Sequence, residues 1–266
     1  MTARELLIAV SINNQGDWQK MQAEFMNRRN QFSDSDVAET IAIGSEPNCT
    51  PITILDDDYP KALKDSACAP FVIWTRGNRA LLDAERKLAV VGSRSLGAFA
   101  PNSIQSLGRK LSEKAVVVVS GSKGSSEHIL RGVLSGSGKA IVLLGSGLAL
   151  RYPSEMIPLY DEVVEKGGLL ISELPPYVCA SPNAFATSKR ILAALGDAML
   201  VTEATAHSGS LIAVAHALNI GKDIYALPVN PLEANHYELV NNELISEGAA
   251  IFLSVDRMFE TAWPRG

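Results

Sequence analysis

Six short apolar runs, each followed by a helix-forming stretch, constrain this chain more than anything else in it. They are Leu88–Val91, Val116–Val119, Ile141–Leu144, Leu169–Ile171, Met199–Val201 and Ile224–Leu227. None alternates apolar with polar residues. Strands with one face in water do alternate, so these runs read as strands buried on both faces, as in parallel sheets covered by helices. The intervening segments carry helix signals. Pro101 opens one at its first turn, with Ile104, Leu107 and Leu111 as its buried stripe. Ser208 caps another, with Leu211, Ile212, Ala215 and Leu218 facing inward and Gly221 closing it. Strand, loop and helix in this repetition predict an α/β fold: an extended, Rossmann-like, doubly wound and mostly parallel sheet.

Residues 51–266 form this domain. Ile52–Leu55 and Phe71–Trp74 add two strands before the alternation begins. Residues 1–50 differ. Trp18, Met21, Phe25 and Met26 lie at helical spacing in a helix expected over 17–32, and a second helix is expected from Ser35 to Ile43, capped by Ser33 or Asp34. No chemistry is visible here, and a small helical appendage is the expectation. The apolar stretch within Met1–Ser11 is too short to span a membrane and is poorly formed as a signal peptide. No membrane contact and a cytoplasmic location are expected.

In open parallel sheets, ligands bind beyond the carboxyl ends of the strands. The segments there are Gly92-Ser93-Arg94, Ser120-Gly121-Ser122-Lys123-Gly124-Ser125-Ser126, Gly145-Ser146-Gly147, Ser172-Glu173, and Thr202-Glu203 leading to Ser208-Gly209-Ser210. Any tight turn in such a sheet needs glycine, so one of these turns means little. Several on one edge, with Arg94 and Lys123 among them, describe a cradle for phosphate: bare amides, hydroxyls and helix N-termini. Arg94 either grips a phosphate with two parallel hydrogen bonds or neutralises Glu173 or Glu203; contact with a ligand is expected. Lys189-Arg190 is the other cationic pair near this edge.

Other chemistries lack their residues. The three cysteines, Cys49, Cys68 and Cys179, form no C-x-x-C pair, and a disulfide scaffold or cysteine zinc site is not expected. His128, His207, His216 and His236 show no metal-binding spacing. There is no nucleophile elbow, no P-loop and no dinucleotide fingerprint. No cofactor, metal or catalytic residue is expected. Glu173 and Glu203 stand where a nucleotide-cleaving enzyme would hold a base, but ion pairing or capping is their expected work. The net charge of −5 argues against whole-surface nucleic-acid binding and leaves room for a local basic pocket.

Several of these segments together resemble the DprA/Smf family of DNA-processing proteins. Leu55-Asp56 with Tyr59-Pro60 and Leu63 is similar to its entry segment, and Val91-Gly92-Ser93-Arg94 to its first-turn motif. Val118-Val119-Ser120-Gly121, Leu144-Gly145-Ser146-Gly147-Leu148 with Tyr152-Pro153, and Leu170-Ile171-Ser172-Glu173 with Pro175-Pro176 follow. Glu203-Ala204 with Ser208-Gly209-Ser210-Leu211-Ile212, then Leu244-Ile245 with Gly248-Ala249, complete a match over about residues 52–253. The resemblance implies a single-stranded DNA-binding protein, commonly a homodimer, that hands DNA to a RecA-type recombinase in recombination or transformation, and not an enzyme.

The chain also departs from the family pattern. Lys123 stands for an arginine, Ser126 for an aspartate and Leu130 for a histidine. In the segment Phe185–Gly196, Ser188 replaces an arginine and Lys189 an asparagine, while Arg190 is retained. A C-terminal winged-helix domain is not expected, and residues 1–50 are shorter than the family's usual N-terminal domain. The DNA-contacting role is carried onto Arg94, Lys189 and Arg190, then Lys123 and Ser208-Gly209-Ser210, within the cradle of Gly92, Ser93, Ser120, Gly121 and Gly145. Phe185 either stacks a base or packs in the core. The alternative is a nucleotide-sensing or nucleotide-cleaving relative from a mobile-element or defence setting.

Overall fold

Nine strands form one sheet in the order β1-β2-β6-β5-β4-β3-β7-β8-β9. They are β1 (Thr50–Thr53), β2 (Val72–Gly77), β3 (Lys87–Val91), β4 (Val116–Ser120), β5 (Ala140–Leu143), β6 (Leu169–Ser172), β7 (Ala198–Val201), β8 (Asp223–Ala226) and β9 (Ala250–Ile251). This computed structural model describes residues 1–26, 32–66, 68–97, 99, 101–206, 208–230, 232 and 239–264. The end of the helix expected over 17–32, and His207 and His236, lie outside the described residues. β3 to β9 pair in parallel; β1 and β2 run antiparallel at one edge.

Burial on both faces is what the apolar runs require. In β3, Leu88 and Val90 enter the core on one side of the sheet, and Ala89 and Val91 enter the core on the other. The first core is closed by α1 (Ala3–Asn13), α5 (Pro101–Ser112), α6 (Ser125–Leu134), α7 (Ile157–Glu165) and α11 (Val255–Ala262). The second is closed by α4 (Lys61–Lys64), α8 (Pro182–Leu195), α9 (Gly209–Asn219) and α10 (Asn241–Ser246). Two further helices, α2 (Trp18–Met26) and α3 (Asp34–Gly44), belong to the N-terminal segment. The strand order reverses between β3 and β7, whose ends open the crevice that sheets of this type use.

Three elements differ from expectation. The apolar stretch near the N-terminus is a helix, α1, started by a capping box between Thr2 and Glu5, and its Leu7 and Ile8 reach the core. In α9 the inward face is Ser210, Ala213, Val214 and Ala217, with Leu211 packed at its margin as expected, while Ile212, Ala215 and Leu218 face outward. Small residues let this helix lie close to the sheet; Ile212 and Leu218 are 40% and 61% exposed. Finally, β9 is two exposed residues, too short to register as a strand in the sequence. The expected cap of α3 is Ser33, which forms a capping box with Asp36.

Candidate nucleic-acid interface

The cradle is built where β3, β7, α6 and α9 meet. Thr202, just past β7, donates from Oγ1 to the carbonyl of Val91 (3.1 Å) and shares a 2.6 Å hydrogen bond with Ser125 Oγ, at the start of α6. Gly92 sits against this pair: a Cβ there would fall 2.5 Å from Ser125 Oγ. Ser210 Oγ, in the first turn of α9, donates to the Gly92 carbonyl (2.9 Å). The Ser125 amide donates to the Ser93 carbonyl (3.0 Å), and the Ser95 amide to Ser93 Oγ (3.2 Å). The turn bearing Arg94 is thereby pinned on three sides. Glu203 holds its far end, its carboxylate accepting from the amides of Gly97 and Phe99, both at 3.0 Å.

Arg94 reaches out of this turn. Its guanidinium lies over the ring of Phe185, 5.7 Å from the centroid, a cation–π geometry. Phe185, on α8, rests on Gly145 beyond β5, where a Cβ would come within 2.8 Å of the ring. One turn along α8, Lys189 is half-buried beside Gly209 at the start of α9. Burial, and then the Arg94 charge, lower its amine to about 8. Among the described residues, neither the Arg94 nor the Lys189 side chain has a hydrogen-bond or carboxylate partner. Ser208 occupies the N-cap of α9, but its hydroxyl is buried and makes no capping bond. Two unpaired cations, a helix N-terminus and an unused hydroxyl thus share one crevice, a setting that favours an anion.

Residues 50–262 match the family described as DNA recombination-mediator protein A. The chain belongs to that family. It is 31% identical over 232 residues to DNA processing protein DprA of Streptococcus pneumoniae, covering 87% of this chain and 79% of the relative. The X-ray structure of DNA processing protein A from Streptococcus pneumoniae superposes with a TM-score of 0.76 at 29% identity, over 97% of this chain and 92% of that one. DNA processing protein A from Helicobacter pylori, solved for its single-stranded DNA binding mode, shares the fold at a TM-score of 0.70 and 24% identity, over 80% and 94% of the two chains.

Within this member of the DNA recombination-mediator protein A family, the sequence-picked residues separate into two sets. Gly92, Ser93, Arg94, Gly145, Phe185, Lys189, Ser208, Gly209 and Ser210 converge on the crevice. The others have different company. Arg190 is engaged by Glu173 in a bidentate ion pair, with both side chains nearly buried, and its Nε donates to the Cys68 carbonyl (3.0 Å). Burial raises the Glu173 carboxyl and the Arg190 charge opposes it. Lys123 is exposed and bonded to Glu155 Oε1 at 2.6 Å. Ser120 is buried in a hydroxyl cluster with Ser122 and Ser126, and the Gly121 amide is spent on the Leu143 carbonyl. Both strand-end glutamates therefore serve protein partners.

Two contributors escaped the sequence reading. Asn241 is fully buried and bridges strand ends: it accepts from the Ala204 amide (2.8 Å) and donates to the carbonyls of Thr202 (3.0 Å) and Leu227 (2.9 Å). A lone asparagine opening a short helix carries no signal of such a role. Tyr152 lies edge-on to Phe185, 6.0 Å between centroids; its tyrosine–proline motif carried the family resemblance but no assigned contact. Among the described residues no cluster of histidine, cysteine or carboxylate side chains can hold a metal, and no helix is long and apolar enough to cross a membrane.

Proposed function

We propose that this chain processes DNA as a single-stranded DNA-binding protein, gripping the strand by its phosphates in the β3/β7 crevice and passing it, as a homodimer, to a RecA-type recombinase. The observation that carries the reading is that Arg94, lying over Phe185, and Lys189, beside the N-terminus of α9, have no carboxylate or hydrogen-bond partner among the described residues. A phosphate between them would replace an unfavourable like-charge approach with two charge-assisted contacts. The bare amides of the glycine and serine turns add neutral donors. Membership of the family supports the same ligand class, and single-stranded DNA is bound by the Helicobacter pylori neighbour named above. Arg190 keeps the crevice in shape instead of touching the strand.

Fluorescence anisotropy with oligo-dT over a salt series tests the reading. Binding should be measurable at low salt and weaken as salt rises, because each neutralised phosphate releases condensed counterion. Arg94→Ala should weaken it and flatten the salt dependence. No binding at low salt, or an unaltered Arg94→Ala variant, overturns it. Faster filament nucleation by a RecA-type recombinase on coated single-stranded DNA tests the second half of the proposal.

A further inference from the structure

The geometry points to Tyr152 as a stacking platform for a nucleobase of the bound strand, a second kind of contact beside the phosphate cradle. The inference rests on the single-stranded DNA reading above. Phe185, the aromatic residue that the sequence singles out for stacking, is already occupied on two sides. Gly145 lies against its ring and the Arg94 guanidinium covers it. Tyr152 is the next ring outward, at 64° to Phe185, and it is 52% exposed.

An exposed tyrosine is ordinary unless something holds it, and here the backbone is held on both sides. The Tyr152 amide donates to Ser146 Oγ (3.2 Å), a side chain with no exposure at all. The Tyr152 carbonyl accepts from the hydroxyl of the fully buried Tyr160 (3.2 Å). Arg151, the preceding residue, is ion-paired to Asp161 on α7. The main chain beneath the ring is therefore fixed before any ligand arrives, which lowers the ordering cost of a contact. Tyr177, equally exposed, differs: its hydroxyl is committed to Glu46 at 2.7 Å. The Tyr152 hydroxyl has no hydrogen-bond partner among the described residues.

Its surroundings suit a strand of nucleic acid. On its inner side stand Phe185 and the Arg94 guanidinium that covers that ring. A cation, a covered ring and then an exposed ring let one strand present a phosphate and a base together, and stacking on a ring tolerates any base.

The test compares wild type, Tyr152→Ala, Tyr152→Leu and Tyr152→Phe on two probes, oligo-dT and an abasic oligomer of the same length. Tyr152→Ala should weaken oligo-dT binding about five-fold or more, the lower end of what one stacked base supplies, and leave abasic binding and the salt slope unchanged. Tyr152→Phe should match wild type on both probes. Tyr152→Leu keeps bulk against Phe185 without a stacking face, so it reports the same loss if the alanine variant does not fold. Wild-type affinity for oligo-dT in both the alanine and leucine variants overturns the inference. So does an equal loss on the abasic oligomer, or a loss shared by Tyr152→Phe. If wild type binds neither probe at low salt, the phosphate reading and this one fall together; if it binds the abasic probe and Tyr152 proves indifferent, only this one does.

Discussion

Lys189 and Arg190 are adjacent in the chain and opposite in circumstance. Arg190 is satisfied by Glu173 in a nearly buried bidentate pair. Removing one partner strands a buried charge, so Arg190→Ala should cost about 3–5 kcal/mol in a denaturant-melt comparison. A variant stabilised or unchanged would contradict the pair's structural role. Nothing in the local sequence distinguishes the two cations, because Glu173 reaches Arg190 only after β6 and α8 are in place. Among the described residues Lys189 has no such partner, and burial lowers its amine to about 8. The sign follows from proton counts. Between about pH 8 and the ordinary lysine value near 10.4, the unfolded chain holds more protons at this site than the folded one. Stability therefore gains from this group as pH rises through that window. DNA affinity moves the opposite way, since the neutral amine no longer meets phosphate as a cation. Lys189→Arg stays charged throughout. At fixed ionic strength, wild-type anisotropy titrations should weaken above about pH 8 relative to that variant; parallel curves would contradict the assignment.

At the level of elements, the crevice depends on how closely the turn after β3 can approach α6. Gly124 caps α6 at φ +75°, and a Cβ there would fall 2.5 Å from the Ser93 carbonyl oxygen. Gly221, after α9, has nearly the same φ, +70°, with nothing within 4 Å. Alanine at either site is strained by the positive φ, at a cost of about 1–3 kcal/mol. Only Gly124→Ala should also displace the turn bearing Arg94. Thermal melts should fall for both variants and further for Gly124→Ala, while oligo-dT affinity should fall for Gly124→Ala alone. Equal DNA binding by the two would separate Arg94 from this turn. The same contrast shows what the sequence makes legible. Strands buried on both faces announce themselves, because each of their residues must be apolar. The inward face of α9 does not, because alanines that pack closely look weaker in sequence than the larger Leu218 and Ile212, which stay exposed. The Ser125–Thr202 hydroxyl pair is equally silent, being made by residues 77 positions apart.

For the whole molecule, the apolar runs foretell the parallel sheet and its covered faces, while the antiparallel β1–β2 edge comes from pairing partners distant in sequence. The crevice follows from the order reversal between β3 and β7. Its charge is a different matter: the chain carries net −5, so its far field opposes nucleic acid and the proposed attraction is local to the crevice. A protein of this kind should show a shallow salt dependence. Each phosphate neutralised on a single strand contributes a slope of about −0.7 in log affinity against log salt. Arg94 and Lys189 together set about −1.4 for one crevice. A homodimer that lays one strand across both crevices should double this to about −3. The comparison is between an oligonucleotide only long enough for one crevice and one able to reach two, with the oligomeric state measured by sedimentation under the same salt. A slope that doubles with length while the protein sediments as a dimer supports two crevices acting on one strand. The same slope at both lengths restricts each strand to one crevice, and a slope far steeper than −3 would place phosphate contacts outside it.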